Sequence, residues 1–347
     1  MEAEPRGRSS ERAPRVCTVV VSYNTRELTL ACAESFLAET RGIAAELVIV
    51  DNASSDGSPE ALARRFPRDE YPNVTLHLLA DNLGFGAACN LGARGTRAER
   101  LLMLNPDTVV LDRGVERLVE FADRRPEARM WGGRTVFPDG ALNPASCWRQ
   151  PTPWSSLVTA LGFASALPSL GLMDPEGYGG WLRDSVREVD IVSGCFLLID
   201  RPLWEALGGF HPDFFMYGED ADLSLRARRA GARPLIDPES VIVHLGGASE
   251  RVRADQMVRL FTGKAQLYRK FAAPLAAWWM LRCLDLWALH RATALSAVAL
   301  VSARRREAAR TWREIFQRRA AWRDAFWRTQ PYAKVGAARA AKLEAAP

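Results

Sequence analysis

Apolar residues in the first hundred positions come in short, unbroken, β-branched runs, separated by stretches in which they recur at helical spacing. The runs are VCTVVVSY (16–23), ELVIVD (46–51), VTLHLL (74–79) and LLMLN (101–105). Between them the spacing predicts a helix through Leu37, another near 58–66 and a third from about Gly84. Unbroken apolar strands alternating with amphipathic helices imply a mainly parallel sheet covered on both faces, the doubly wound α/β class. From Phe137 to Arg187 the pattern gives way to Pro, Gly, Trp and Ser, a stretch too long for an ordinary connection. A mobile, substrate-contacting insertion is expected there. Regularity returns with VDIVSGCFLLID (189–200), a helix from Arg201 and a strand pair around 234–244. Beyond Arg251 the pattern is helical, and no internal repeat interrupts it.

Composition narrows the class. A chain of 347 residues with 48% hydrophobic content can bury a full core, which excludes wholesale disorder. Lys and Arg number 46 against 41 acids, a balance of +5 that is too mild to argue for nucleic acid. The excess is concentrated late in the chain: over 274–330 eleven arginines against four acids leave a net +7. Six scattered cysteines, with no C-x-x-C pair, fit a reducing cytosol and no zinc site. The N-terminus, MEAEPRGRSSERAPR, lacks the apolar core of a secretory signal. The apolar stretch Pro274 to Val301 is broken by Arg282, Asp285, His290 and Arg291, which argues against a transmembrane span.

In a doubly wound sheet, ligands bind outside the carboxyl ends of the strands. Those ends carry Tyr23-Asn24, Asp51-Asn52 and Asn105-Pro106-Asp107. Asp51 can accept hydrogen bonds from a base or ribose, and the helix that follows it favours phosphate at its N-terminus. Asp56, before Gly57, suits a ligand or a helix cap equally. The segment NLGFGAACN (82–90) offers Asn82, Gly84 and Gly86 at a helix start, but it lacks the third glycine of a dinucleotide fingerprint. Asp107, in a rigid Pro turn, suits a hard divalent cation with substrate phosphates completing the shell. Glu219, Asp220 and Asp222 follow the aromatic residues Phe214, Phe215 and Tyr217, and a carboxylate beside apolar rings can act as a base near neutral pH. His244 ends the run SVIVH and gains weight only in company with Asp107.

The ordered set VVVSYN, VDNASSDGS, NLGFGAACN, LNPD, SGCFLLI, GGFHPDFFMYGEDADLSLR and the later His resembles the family 2 glycosyltransferases, whose fold is called GT-A. The likeness is greatest to the bacterial rhamnosyltransferase-like group and runs from about Val16 to Gly247. It implies an inverting hexosyl transfer from a nucleoside-diphosphate sugar, dTDP-rhamnose favoured, to a glycan or lipid-diphosphate-linked acceptor in cell-surface polysaccharide synthesis. By the same resemblance Asp220 is the catalytic base, and Tyr23, Asn24, Asp51, Asn52, Asp56, Asn82, Gly84, Asn105 and Asp107 form the nucleotide-sugar set. Gly194, Phe215, Tyr217 and Glu219 lie on the acceptor side, and Asp107 with His244 holds Mg²⁺ or Mn²⁺. Asn105 stands where the family has the first acid of its D-x-D motif, which leaves one carboxylate fewer.

The expected organisation is a disordered tail over 1–14, a GT-A domain over 15–250, a helical extension over 251–335 and a flexible tail over 336–347. Trp278, Trp279 and Trp287 beside a run of arginines suit an anionic membrane surface, on the cytoplasmic face of the plasma membrane. A homo-oligomer interface is the alternative use of the same helices. Two other functions compete: a nucleotide-dependent oxidoreductase, favoured only by the sheet and Gly84-Phe85-Gly86, and a non-catalytic nucleotide-sugar-binding scaffold, favoured by Asn105.

Overall fold

The computed structural model describes residues 13–246 and 253–332. Much of the expected N-terminal tail, Gly247 and the tail over 336–347 lie outside the described residues. The first half runs β1 (Val16–Ser22), α1 (Arg26–Glu39), β2 (Ala45–Asp51), α2 (Ser58–Arg65), β3 (Val74–Leu78), α3 (Phe85–Gly92) and β4 (Arg100–Leu104), as the hydrophobic pattern predicts. Next come β5 (Thr108–Val110), α4 (Gly114–Arg124), β6 (Met130–Val136), β7 (Cys147–Trp148), α5 (Pro153–Ala160) and α6 (Phe163–Ala166). They are followed by β8 (Arg187–Glu188), β9 (Ile191–Val192), β10 (Phe196–Asp200), α7 (Arg201–Leu207), α8 (Glu219–Arg229) and β11 (Leu235–His244). The C-terminal helices are α9 (Arg253–Phe271), α10 (Pro274–Val301), α11 (Arg306–Gln317) and α12 (Ala320–Arg328).

The main sheet has the order β3-β2-β1-β4-β10-β6-β11-β5, with β8 beside β11. Strands β1 to β4 are mutually parallel, and β6 and β11 are parallel to each other. Antiparallel β10 lies between β4 and β6, so β6 and β11 run in the same direction as β1. Every residue of β1 and β4 is buried, as expected for strands covered on both faces. On one face Phe36 of α1, Leu62 of α2 and Leu118 of α4 pack on the sheet. On the other, Ala88 of α3, Leu203 of α7 and Leu223 of α8 do so.

Three expectations change. The run 189–200 is two strands, because the chain turns at Ser193-Gly194-Cys195: β9 pairs with β7 in a small separate sheet, and β10 enters the main one. The expected pair around 234–244 is the single strand β11 with a register shift between Asp237 and Val241. Pro238 lacks the N–H a ladder needs, and Ser240 Oγ donates to Asp237 Oδ2 across the irregularity. At the N-terminus, Pro14 is already tied in, its carbonyl accepting from Glu99 N–H at 2.9 Å.

The C-terminal helices have their own core, in which Phe261 of α9 meets Trp287 of α10 and Trp322 of α12. The polar residues that interrupt 274–301 do not break α10, which is a single 28-residue helix, by length and composition sufficient to cross a membrane. Its Asp285 is paired within the bundle, accepting from Arg323 Nη2 at 2.9 Å and Trp322 Nε1 at 3.1 Å. Helix α9 also reaches the catalytic half. Leu267 packs with Phe214, Ala221 and Leu225, and buried Lys270 meets Asp222 at 2.5 Å.

Candidate active site

The carboxyl ends of β1, β2, β4 and β11 reach one edge of the sheet, and β1 has β2 on one side and β4 on the other. That reversal of strand order is where α/β sheets open a crevice. A cleft of about 1310 Å³ opens here. Tyr23, Asn52, Asn82, Gly84, Asn105, Asp107, Gly194, Phe215, Tyr217, Glu219, Asp220 and His244 all line it. Asn24, Asp51 and Asp56 are not among the lining residues.

Asp51 is fully buried beneath the edge. One carboxylate oxygen accepts from Ser54 N–H at 2.9 Å, while Oδ2 has no donor among the described residues. An orphaned buried acceptor is costly unless a ligand group supplies the donor. Asn52 and Asn82 clamp the loops above it: Asn52 Nδ2 donates to Asn82 Oδ1 at 3.0 Å, and the same oxygen accepts from Gly84 N–H. Asn24 is turned to the neighbouring loop, where its Oδ1 accepts from Ser55 N–H at 2.8 Å. Asp56 is engaged beside the starts of two helices. Its oxygens accept from Ser58 N–H, Ser58 Oγ and Arg26 N–H, at the first turns of α2 and α1. Burial works upward on this carboxyl, but those hydrogen bonds outweigh it and hold its pKa below the usual range. Gly84, at φ +82°, is required by close approach: a Cβ there would meet the Phe215 carbonyl at 2.5 Å.

The Asn105-Pro106-Asp107 turn joins β4 to β5, and register pairs Thr108 with His244, so Asp107 and the end of β11 are neighbours. Asp107 Oδ1 lies 3.5 Å from His244 Nε2, and Asn105 Nδ2 lies 3.5 Å from the same nitrogen. Asp107 and His244 are buried, and His244 Nδ1 has no hydrogen-bond partner among the described residues. Burial alone would lower the His244 pKa, yet Cys195 and Asp107 beside the ring raise it to about 10. Two ligands that each sit about 2.0–2.1 Å from one Mg²⁺ stand at most about 4.2 Å apart, so the observed separation fits a shared hard cation. Among the described residues no group of three or more His, Cys, Asp or Glu converges for a metal. Water and substrate phosphates would complete such a shell.

Asp220 sits in the first turn of α8, which begins after Tyr217 and Gly218, both in left-handed backbone. Its Oδ2 accepts from Gly194 N–H at 3.0 Å, and its Oδ1 from Ala221 N–H at 2.7 Å. Burial pushes this carboxyl above the ordinary carboxylate range, against the pull of those N–H groups. Glu219 is more deeply buried and its Oε2 has no partner among the described residues. Burial, then the adjacent Asp220, raises its pKa to about 8. The third acid of the cluster, Asp222, is structural: fully buried, it pairs with Arg226 at 2.7 Å and with Lys270.

Part of the cleft wall comes from the 137–187 segment, where substrate contact was expected, and part from α9, where it was not. Helix α9 contributes Gln256, Arg259 and Lys264, and the 137–187 segment contributes Trp148, Glu176 and Arg183. Lys264 Nζ donates to Glu176 Oε2 at 2.9 Å, a bond that joins the two across the cleft wall. Gly263 lets α9 pack against the turn before Asp220, since a Cβ there would collide with the Tyr217 carbonyl. Helical spacing had announced α9 but not its partner.

Residues 17–171 match the model of glycosyl transferase family 2. An N-acetylglucosaminyl-diphospho-decaprenol L-rhamnosyltransferase of Mycobacterium tuberculosis is 29% identical, over 74% of this chain and 83% of its own. An O-antigen biosynthesis protein of Myxococcus xanthus is 28% identical over 70% of this chain and 18% of its own. Among solved structures, a mannosyltransferase of Pyrobaculum calidifontis in complex with GDP-Man and Mn²⁺ superposes with a TM-score of 0.54 at 19% identity, covering 90% of this chain and 88% of that one. With its GT-A sheet, its cleft and these relatives together, the chain is a glycosyltransferase, similar over residues 17–171 to glycosyl transferase family 2 and over most of its length to a bacterial rhamnosyltransferase.

Proposed function

We propose that the chain transfers a sugar, rhamnose from dTDP-rhamnose favoured, with inversion, to a hydroxyl of a glycan or lipid-diphosphate-linked acceptor at the inner membrane face. The observation that carries this reading is the presence in one cleft of Asp220 and of the Asp107–His244 pair. The sugar and the acceptor class follow the mycobacterial relative, whose name specifies rhamnosyl transfer to N-acetylglucosaminyl-diphospho-decaprenol, and the dTDP carrier follows the sequence resemblance.

Inversion in one step needs an acceptor oxygen to attack the anomeric carbon while the bond to the nucleoside diphosphate breaks on the opposite side. Asp220 takes the hydroxyl proton as the new C–O bond forms, and its raised pKa makes it a better acceptor near neutral pH. Gly194 N–H and Ala221 N–H hold that carboxylate in place. Asp107 and His244 would hold Mg²⁺ or Mn²⁺, consistent with the Mn²⁺ of the structural neighbour. A bound cation there neutralises charge on the leaving diphosphate. Asp51, the nucleoside-side carboxylate of this reading, keeps its Oδ2 unpaired just beneath the cleft edge.

A screen of dTDP-, UDP- and GDP-sugars for thermal stabilisation, with and without Mn²⁺, tests the donor. A ligand that binds only the native state raises the melting temperature. The expected result is the largest shift with dTDP-rhamnose, dependent on Mn²⁺ and lost in Asp107→Ala. A larger shift with a UDP- or GDP-sugar would overturn the donor, and an unchanged shift in Asp107→Ala would overturn the metal site.

A further inference from the structure

Helix α10 is apolar over most of its circumference, interrupted by Arg282, Asp285, His290 and Arg291, yet only part of it is covered. Ala277, Met280, Leu281, Leu284 and Ala288 pack into the C-terminal core. The remaining face carries Leu275, Trp278, Trp279, Leu286, Leu289 and Leu300, all exposed, Leu275 and Leu300 at 78% and 84%. A helix that is apolar all round belongs inside a protein or against a membrane, and here one side has found only the first.

A second apolar surface adjoins it. Helix α5 ends against α10, where the Ala160 carbonyl lies 3.2 Å from His290 Nδ1. From there through α6 the chain exposes Leu161, Phe163, Leu167, Leu170 and Leu172. The same segment turns Ala164, Ser165, Pro168 and Ser169 toward the cleft, and α10 adds Trp287 to it. One layer of protein thus has the cleft on one side and exposed leucine on the other.

Charge selects the occupant. Exposed Arg304, Arg305 and Arg306 follow α10 directly. A second copy seated on this face would bring a like-charged surface against its own, whereas anionic headgroups neutralise it. We infer that α10 and the 161–172 segment lie together on an anionic bilayer surface, so that the cleft wall they form stands at the lipid. The helix lies on the bilayer and does not cross it, because crossing would strip Asp285 of Arg323 and Trp322. This surface rests on the reading of a lipid-linked acceptor and adds a docking element, the 161–172 segment, that acts beside the cleft.

The test is flotation of the full chain with phosphatidylcholine vesicles, with and without phosphatidylglycerol. The wild type should float only with the anionic vesicles. Leu167→Glu and Leu172→Glu should each weaken binding about tenfold, the order expected when one large apolar side chain is withdrawn from the bilayer. Their melting temperature and dTDP-rhamnose shift should stay as in the wild type, since both side chains are exposed and off the cleft. Equal flotation of wild type and variants would overturn the inference. So would a dimer in light scattering that the same variants dissolve while vesicles are ignored. Flotation needs neither donor nor acceptor, so its failure leaves the transferase reading standing. Failed transfer to a lipid-linked hydroxyl by vesicle-bound protein would overturn the acceptor alone.

Discussion

Glu219 and Asp220 are adjacent carboxyls at the start of one helix, and their surroundings give them different work. Asp220 reaches the cleft with two backbone donors on its oxygens, whereas Glu219 is buried with one oxygen unpaired. Asp220→Asn should lower kcat about 10²- to 10⁴-fold while leaving the donor-induced thermal shift intact, because a general base acts in the transition state. Near-native turnover in that variant would remove Asp220 from the mechanism. Glu219 makes a stability prediction with a definite sign. Its pKa is about 8 in the folded chain against an ordinary glutamate value of 4.5, so the native state holds the proton more tightly than the unfolded one. That contribution is complete below about pH 4.5 and is lost as pH rises through about 8. Glu219→Gln stays neutral throughout, so its melting temperature should gain on the wild type steadily between about pH 5 and pH 8.5. A difference that does not change with pH would refute the buried neutral acid. Sequence position exposed Asp107 and His244 as candidates because each ends or follows a strand at the binding edge, and Asp220 because it follows an aromatic run and matches the base of the family it resembles. It could not separate Asp56 and Asp222 from them: a carboxylate that caps a helix or pairs in the core looks the same in sequence until Ser58 or Lys270 is seen beside it.

Helix α8 owes its placement to α9 as much as to its own sequence. Asp222 lies two residues from the base, and its side chain and that of Lys270 are both fully buried. Arg226, which also pairs with Asp222, donates to the carbonyls of Leu207 and Gly209, so one charged cluster joins α7, α8 and α9. Removing one partner of a buried pair strands the other charge, at a cost of about 3–5 kcal/mol. Lys270→Met should therefore lower the urea midpoint by that equivalent, and a midpoint within error of wild type would show that Arg226 alone satisfies Asp222. Elements of the first half were legible because each strand there is a continuous apolar run and each helix has one apolar face. The direction of β10 was not, since a strand buried on both faces reads alike whether it runs with its neighbours or against them. Nor could helical spacing reveal that α9 would line the cleft, because Lys264 and Gly263 owe their roles to Glu176 and Tyr217, far away in sequence.

At the scale of the whole molecule, contacts of α9 bridge the boundary expected near residue 250. Helix α9 belongs to two cores at once. Phe261 and Tyr268 pack with α10 and α12, while Leu267 packs with Phe214, Ala221 and Leu225 around the catalytic helix. The charged link through Lys270 strengthens the second of these contacts. An element shared in this way cannot leave one core without exposing the other, so the catalytic half and the C-terminal helices should unfold together. Hydrogen exchange followed along a urea series should then give the slowest amides of β1 and of α12 the same opening free energy and the same dependence on urea, as members of one cooperative unit. Lys270→Met should lower both by the same amount. If α12 opened at lower urea than β1, with the catalytic strands still protected, the helices would be an appended domain and α9 its tether. In that case a surface on α10 could no longer hold the cleft at a fixed height above lipid. Cooperative unfolding is therefore the physical condition under which membrane docking through α10 can position the active site.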